Sequence, residues 1–165
     1  MSTTFTEENN AEVKYGSLKT LTVLTYIGSA LQLIMGIWQY ATAEKRVTDM
    51  EKQMASPDFD KMPDFVKKMM TPEALQQLKV MAANNLPLLV LALIGGVLGI
   101  MGAMQMRKFK MQGYYIWLLS EIVPLIGTVI FVGTSVFSGF AIIGLIFPFV
   151  FIILYTLQRK YLINK

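Results

Sequence analysis

The chain has 165 residues, 54% of them hydrophobic and 16% charged, with a net charge of +4 and neither His nor Cys. That inventory excludes a His-containing catalytic triad, a Cys nucleophile, a disulfide, and any imidazole or thiolate metal site. A positive mean hydropathy of +0.49, gathered into long apolar blocks, excludes an ordinary soluble domain. The bases beside those blocks speak of membrane orientation rather than nucleic acid.

Residues 1–20 read as a polar N-terminal tail that opens with MSTTFTEENN. Leu21–Ala41 then carries no charge over 21 residues, about 31 Å of helix, enough to cross the hydrocarbon. It starts too late and runs too long for a signal peptide. Thr25, Ser29, Gln32 and Gly36 form a small and polar stripe along it. A second uncharged span runs Leu86–Met106, and a third, Tyr114–Val132, holds one acid, Glu121. Phe140–Leu157 is uncharged and close to the short limit for a fourth span. The expected fold is an all-α integral membrane protein. Residues 21–165 form its membrane domain, with four transmembrane helices and a partly helical extramembrane segment, 42–85, between the first two.

Orientation follows from the short connections. The 107–113 turn holds Arg107, Lys108 and Lys110, the C-terminal tail holds Arg159, Lys160 and Lys165, and the link 133–139 has no charge. Bases collect on the cytoplasmic side, so both termini and the 107–113 turn are expected there, with 42–85 on the periplasmic side. Trp38, Tyr40, Tyr114, Tyr115, Trp117, Tyr155 and Tyr161 are placed as headgroup-level aromatics.

Between the first two spans, Thr42–Met54 is rich in helix formers and should prolong the first helix beyond the membrane. Pro57 ends it. Pro-Asp-Phe occurs at 57–59 and again at 63–65, each suited to the first turn of a short helix. Thr71-Pro72-Glu73 is a stronger start signal: an N-cap, a Pro at the first helical position and an acid in the first turn. From there Leu75, Leu78, Met81 and Ala82 recur at helical spacing. This amphipathic helix could lie on the bilayer or over the bundle. Equally, the segment could dock a protein partner through Phe59, Phe65, Leu75 and Leu78.

Glu121 is the most informative residue. A charged side chain at the bilayer centre costs about 2.5–3.5 kcal/mol on insertion scales, so it should face protein or a water-filled space. Tyr114, Glu121 and Thr128 are spaced by sevens and are expected on one face. Pro124 has no N–H, which frees the Ser120 carbonyl beside the acid. Gln32 is the neutral partner expected for Glu121 by depth. The resulting polar cluster (Glu121, Ser120, Thr128, Tyr114, Gln32) could be a static hydrogen-bonded knot, a proton or cation site, or a contact with a partner subunit. Gly95, Gly99 and Ala103 make a small-residue strip suited to close helix packing, within the chain or between copies. Pro124 and Pro148 should bend their helices.

No nucleophile–base pair, phosphate loop, haem ligand set or metal box occurs, so an enzyme, a cofactor and a bound metal are not expected. Four helices with one membrane acid look like the small multidrug resistance exporters. In that family, however, the glutamate lies in the first helix, so no residue carries over. The stretch RKFKMQGYYIWLLSEIVPLIG, residues 107–127, resembles small four-helix inner-membrane proteins of Bacteroidota-type bacteria that have no known activity. That resemblance implies a bacterial inner membrane and nothing about chemistry. The function expected is a non-catalytic accessory or scaffold subunit, in contact with lipid and with a membrane protein partner or further copies of itself. The alternative is a small proton- or cation-coupled transporter that uses Glu121.

Overall fold

The computed structural model describes residues 3–134, 141–159 and Leu162, with side chains described from Gly16 onward and, in the last helix, at Ile146 and from Pro148. Phe140, Lys160, Tyr161, Lys165 and most of the 133–139 link lie outside the described residues. The chain is all α: α1 Thr3–Met54, a 3₁₀ turn at Phe59–Lys61, α2 Asp64–Met69, α3 Pro72–Ala83, α4 Asn85–Arg107, α5 Met111–Val132 and α6 Ala141–Gln158. Helix α1 begins at Thr3, so the segment expected as a separate tail continues into the first helix.

Among the described residues three helices, not the expected four, are long and apolar enough to cross a membrane: α1 from Gly16, α4 and α5. The expected span over 140–157 is corrected. Helix α6 has 18 residues, about 27 Å at 1.5 Å each, below the ~30 Å hydrocarbon thickness. Its described apolar run, Pro148–Gln158, is shorter still. An uncharged block at the lower length limit therefore did not suffice.

Polarity in the bundle is arranged for lipid rather than water. Among the fully or nearly buried residues are Thr22, Thr25, Ser29 and Ser120, whereas Leu31, Ile34, Ile37, Val97, Ile126 and Ile130 are exposed. Large apolar side chains outside and small or hydroxyl side chains inside is the pattern that membrane helices adopt. Hydrocarbon gives apolar groups no reason to hide, and small residues let backbones approach.

Helix α4 lies between α1 and α5, and glycine makes both contacts possible. A Cβ added at Gly102 would sit 2.6 Å from Trp117 Cβ and 2.7 Å from Trp117 N. One added at Gly36 would sit 2.7 Å from Ala92 Cβ. The α4–α5 connection is a tight turn in which Phe109 takes φ +57°, and Lys110 N–H donates to the Gln105 carbonyl at 3.1 Å. At the end of the bundle that holds this turn, Leu18, Met106, Tyr114 and Leu162 share one apolar cluster. Leu18 of α1 and Leu162 thus meet at the same end of the bundle.

The 42–85 segment is also explained by α1. Helix α1 continues without a break to Met54, and α3 packs back against it in antiparallel sense. Ser29 meets Gly99, Leu33 meets Gly96, Gly36 meets Ala92, Asn85 Nδ2 donates to the Tyr40 carbonyl at 2.9 Å, and Lys79 pairs with Glu51 at 2.6 Å. The pairs keep one register across the break at Asn84, so α3 and α4 together run alongside α1. From Ala41 to Met54 the paired helices rise about 20 Å past the apolar stretch. Helix α3 is therefore the second leg of a helical hairpin with the outer part of α1. Its start is as expected: the Thr71 hydroxyl accepts from Ala74 N–H at 3.2 Å, with Pro72 in the first turn.

Candidate functional site

Glu121 lies on α5 at the level of Gln32, one residue past the middle of the apolar stretch of α1. Both line a pocket of about 300 Å³ together with Thr25, Ser29, Trp117 and Phe151. An adjoining pocket of about 330 Å³ shares Gln32, Glu121 and Pro148 and adds Ser120, Pro124 and Thr128. The two are one cleft between α1, α5 and α6. Its walls come from three helices, and its rim includes Leu24 and Gly28 on the exposed side of α1.

The expected pairing of Gln32 with Glu121 is met in position but not in bonding. Both groups face the cleft, yet among the described residues neither has a hydrogen-bond partner. An added Cβ at Gly95 would lie 2.6 Å from Gln32 Nε2 and 3.1 Å from the Ser120 carbonyl oxygen. The carbonyl freed by Pro124 thus points at the bare face of Gly95, where no side chain separates the helices.

The remaining members of the expected cluster divide. Ser120 Oγ donates to the Trp117 carbonyl at 2.5 Å, and Thr128 Oγ1 donates to the Pro124 carbonyl at 2.7 Å. Both hydroxyls are satisfied within their own helix, although both residues line the cleft. Tyr114 does not join Glu121. Its hydroxyl shares a hydrogen bond of 3.0 Å with Thr156 Oγ1, toward the 107–113 end. A spacing of seven drifts around a helix of 3.6 residues per turn, and Tyr114 is also two turns away along the axis.

The sequence reading missed the floor of the cleft. Trp117 and Tyr155 are fully buried, with ring centroids 4.4 Å apart, and the Tyr155 hydroxyl bonds Thr25 Oγ1 at 2.6 Å. They are core residues rather than headgroup anchors. The available signal was Gly102, which leaves α5 room to bring Trp117 inward, together with Thr25 on the polar stripe of α1. Trp38 is 66% exposed, as a headgroup-level aromatic should be.

The small-residue strip is occupied within the chain. Gly95 and Gly99 receive Gln32, Pro124, Ser29 and Ser120, and Ala103 is fully buried. In the outer segment, Leu78 lines the small gap between α3 and α1, and Phe59 and Leu75 are half-buried. Phe65 is 65% exposed and Met69 50% exposed. No group of three or more metal-ligating side chains occurs among the described residues.

These features define a membrane-associated helical protein with several helices able to cross the bilayer. Comparison with protein-family models, curated proteins and solved structures finds no match.

Proposed function

We propose that the chain is a non-catalytic accessory subunit of a membrane assembly, and that it presents the tip of its helical stalk to a protein partner. The supporting observation is the single register in which α3–α4 pairs with α1 beyond its apolar stretch. In that register the first turn of α3 comes level with the end of α1, so the connection 55–71 stands at the far end. Phe65 and Met69 are exposed there, on a short helix that also carries Lys67, Lys68 and Asp64. An apolar pair rimmed by charges, held about 20 Å beyond the hydrocarbon, suits a protein surface better than lipid.

The bases at the opposite end support an orientation with that end in the cytoplasm and the stalk in the periplasm. Arg107, Lys108, Lys110 and Arg159 belong to the end where Leu18 and Leu162 meet. A bacterial inner membrane rests on the resemblance of residues 107–127. A photo-crosslinking amino acid at Phe65 or Met69, in cells, should give a discrete protein adduct that is absent when the crosslinker replaces Gln76. Adducts to lipid alone, or equal adducts at all three positions, would contradict the proposal.

One observation favours a second reading, coupling to a small ion or solute. Glu121 lies in an open cleft rather than inside a closed hydrogen-bonded knot.

A further inference from the structure

Lys45 and Arg46 are bases close to the apolar stretch of α1, at the end opposite the 107–113 turn where the other near-membrane bases collect. Arg46 comes five residues after Ala41, about 7.5 Å along the helix. Side chains on a helix lean toward its N-terminus, which for this part of α1 is back toward the bilayer. The headgroup layer is about 5–7 Å deep on each side of the hydrocarbon, so the guanidinium reaches into it. Trp38 and Tyr40, both exposed, are the aromatics of that layer.

The chain gives Arg46 no partner. It lines the small gap between α1 and the α3–α4 arm beside Gln39 and Asn85, and no acid lines that gap. The three ion pairs among the described residues use Lys61, Lys67 and Lys79, and no hydrogen bond engages the guanidinium. The gap measures about 30 Å³, room for a water molecule or two, so a ligand of Arg46 sits at its mouth and not inside it. From Arg46 toward the bilayer, steps of three and four residues lead to Trp38, Met35 and Leu31 on the same stripe of α1. All three are exposed apolar side chains, and an acyl chain can lie along them.

A guanidinium holds phosphate oxygens in a two-pronged fork, and the neighbouring charge says which phosphate fits. Asp49, three residues beyond Arg46 on the same stripe, is exposed and also unpaired among the described residues. The base is nearer the hydrocarbon and the acid stands one turn farther out. That order matches a headgroup whose phosphate sits at the glycerol and whose ammonium lies beyond it. A headgroup with net negative charge meets like charge at Asp49. We propose that this stripe of α1 binds one phospholipid of the phosphoethanolamine class, with Arg46 on the phosphate and Asp49 on the primary ammonium. One acyl chain runs along Trp38, Met35 and Leu31. The site is independent of the partner assigned to the tip.

The test uses the full chain in a mild detergent and native mass spectrometry. Phosphatidylethanolamine, phosphatidylcholine and phosphatidylglycerol with the same acyl chains are offered in equal amounts. One bound phosphatidylethanolamine is expected in preference to the other two. Arg46→Gln should weaken its binding about fivefold or more, the scale of one base at a lipid surface. Asp49→Asn should erase the preference over phosphatidylcholine and leave phospholipid binding in place. Both side chains are exposed and unpaired, so helix content and thermal midpoint should not change in either variant. Lys68→Gln removes an exposed base at the tip and should leave lipid binding as it was, which separates the site from overall charge. Glycerophosphoethanolamine, the same headgroup without acyl chains, should not bind. Wild-type affinity in Arg46→Gln, an unchanged preference in Asp49→Asn, an equal loss in Lys68→Gln, or binding of the chainless headgroup would each overturn the proposal. So would equal retention of the three lipids.

Discussion

Replacing Gly102 by Ala tests the packing on which the whole bundle depends. The new methyl would lie 2.6 Å from Trp117 Cβ, 2.7 Å from its N and 2.8 Å from its Cα. Two of those three atoms are backbone, so no rotamer change relieves the clash and α5 itself must move. Overpacking of this kind costs about 1–3 kcal/mol. Ala is the better helix former by about 0.8–1.0 kcal/mol, which offsets part of that cost. The expected net loss is about 0–2 kcal/mol, up to roughly a 30-fold shift in the folded-to-unfolded ratio, where the unclashed substitution would be a gain. Gly28→Ala is the matched control. It introduces the same methyl into the helix of α1 with nothing nearby, so it should stabilise by up to about 1 kcal/mol. Both variants can be compared, in a Trp38→Phe background, by reversible SDS titration of protein refolded into mixed micelles, followed by Trp117 emission. Equal stabilisation by the two substitutions would refute the close α4–α5 approach.

Four further outcomes follow from the same geometry. Tyr155→Phe removes the 2.6 Å bond to Thr25 and should cost about 1 kcal/mol in the same titration, the scale of membrane-helix hydrogen bonds. Thr71→Ala deletes the α3 cap and should cost about 1 kcal/mol locally, read as faster amide exchange at 73–75. In that same turn, the Glu73 backbone N–H and then the Thr71 hydroxyl hold the Glu73 carboxyl below its ordinary value. Its contribution is therefore complete above the unfolded value of about 4.3 and is lost as pH falls through the lowered folded value, so exchange protection of the turn should persist to pH 5 and fade only in stronger acid. Glu51→Cys with Lys79→Cys should be joined efficiently by a short bis-maleimide, a clean test in a chain with no other Cys. Failure to link would break the stalk register.

Much of the fold was legible because hydrocarbon writes plainly in sequence. Long uncharged runs located α4 and α5 to within a few residues, and the Thr71-Pro72-Glu73 signal located the start of α3 because capping is local chemistry. The depth of Gln32 and Glu121 was also readable, since helix rise converts residue number into height. Which groups then bond was not. Ser120 and Thr128 turn to carbonyls of their own helix, and Tyr114 reaches Thr156 on α6, a neighbour that spacing along α5 does not reveal. The pairing of α3 with α1 was hidden for a similar reason. Leu75, Leu78, Met81 and Ala82 describe a helix with an apolar side, and that side fits a bilayer as well as it fits α1. Only the long-range match of Lys79 to Glu51 and Asn85 to Tyr40 decides between them. The fourth span failed on length, where composition alone favoured it.

The most direct test of the stalk is the depth of single spin labels in a nanodisc, measured by power saturation with oxygen and with a water-soluble nickel complex. Labels at Leu31 and Ile126, both exposed on the spans, should be relaxed mainly by oxygen. A label at Phe65 should be relaxed mainly by nickel, as should one at Asp49 on the paired helices. An oxygen-dominated signal at Phe65 would put the tip in the bilayer and would contradict both the upright hairpin and the partner surface assigned to it.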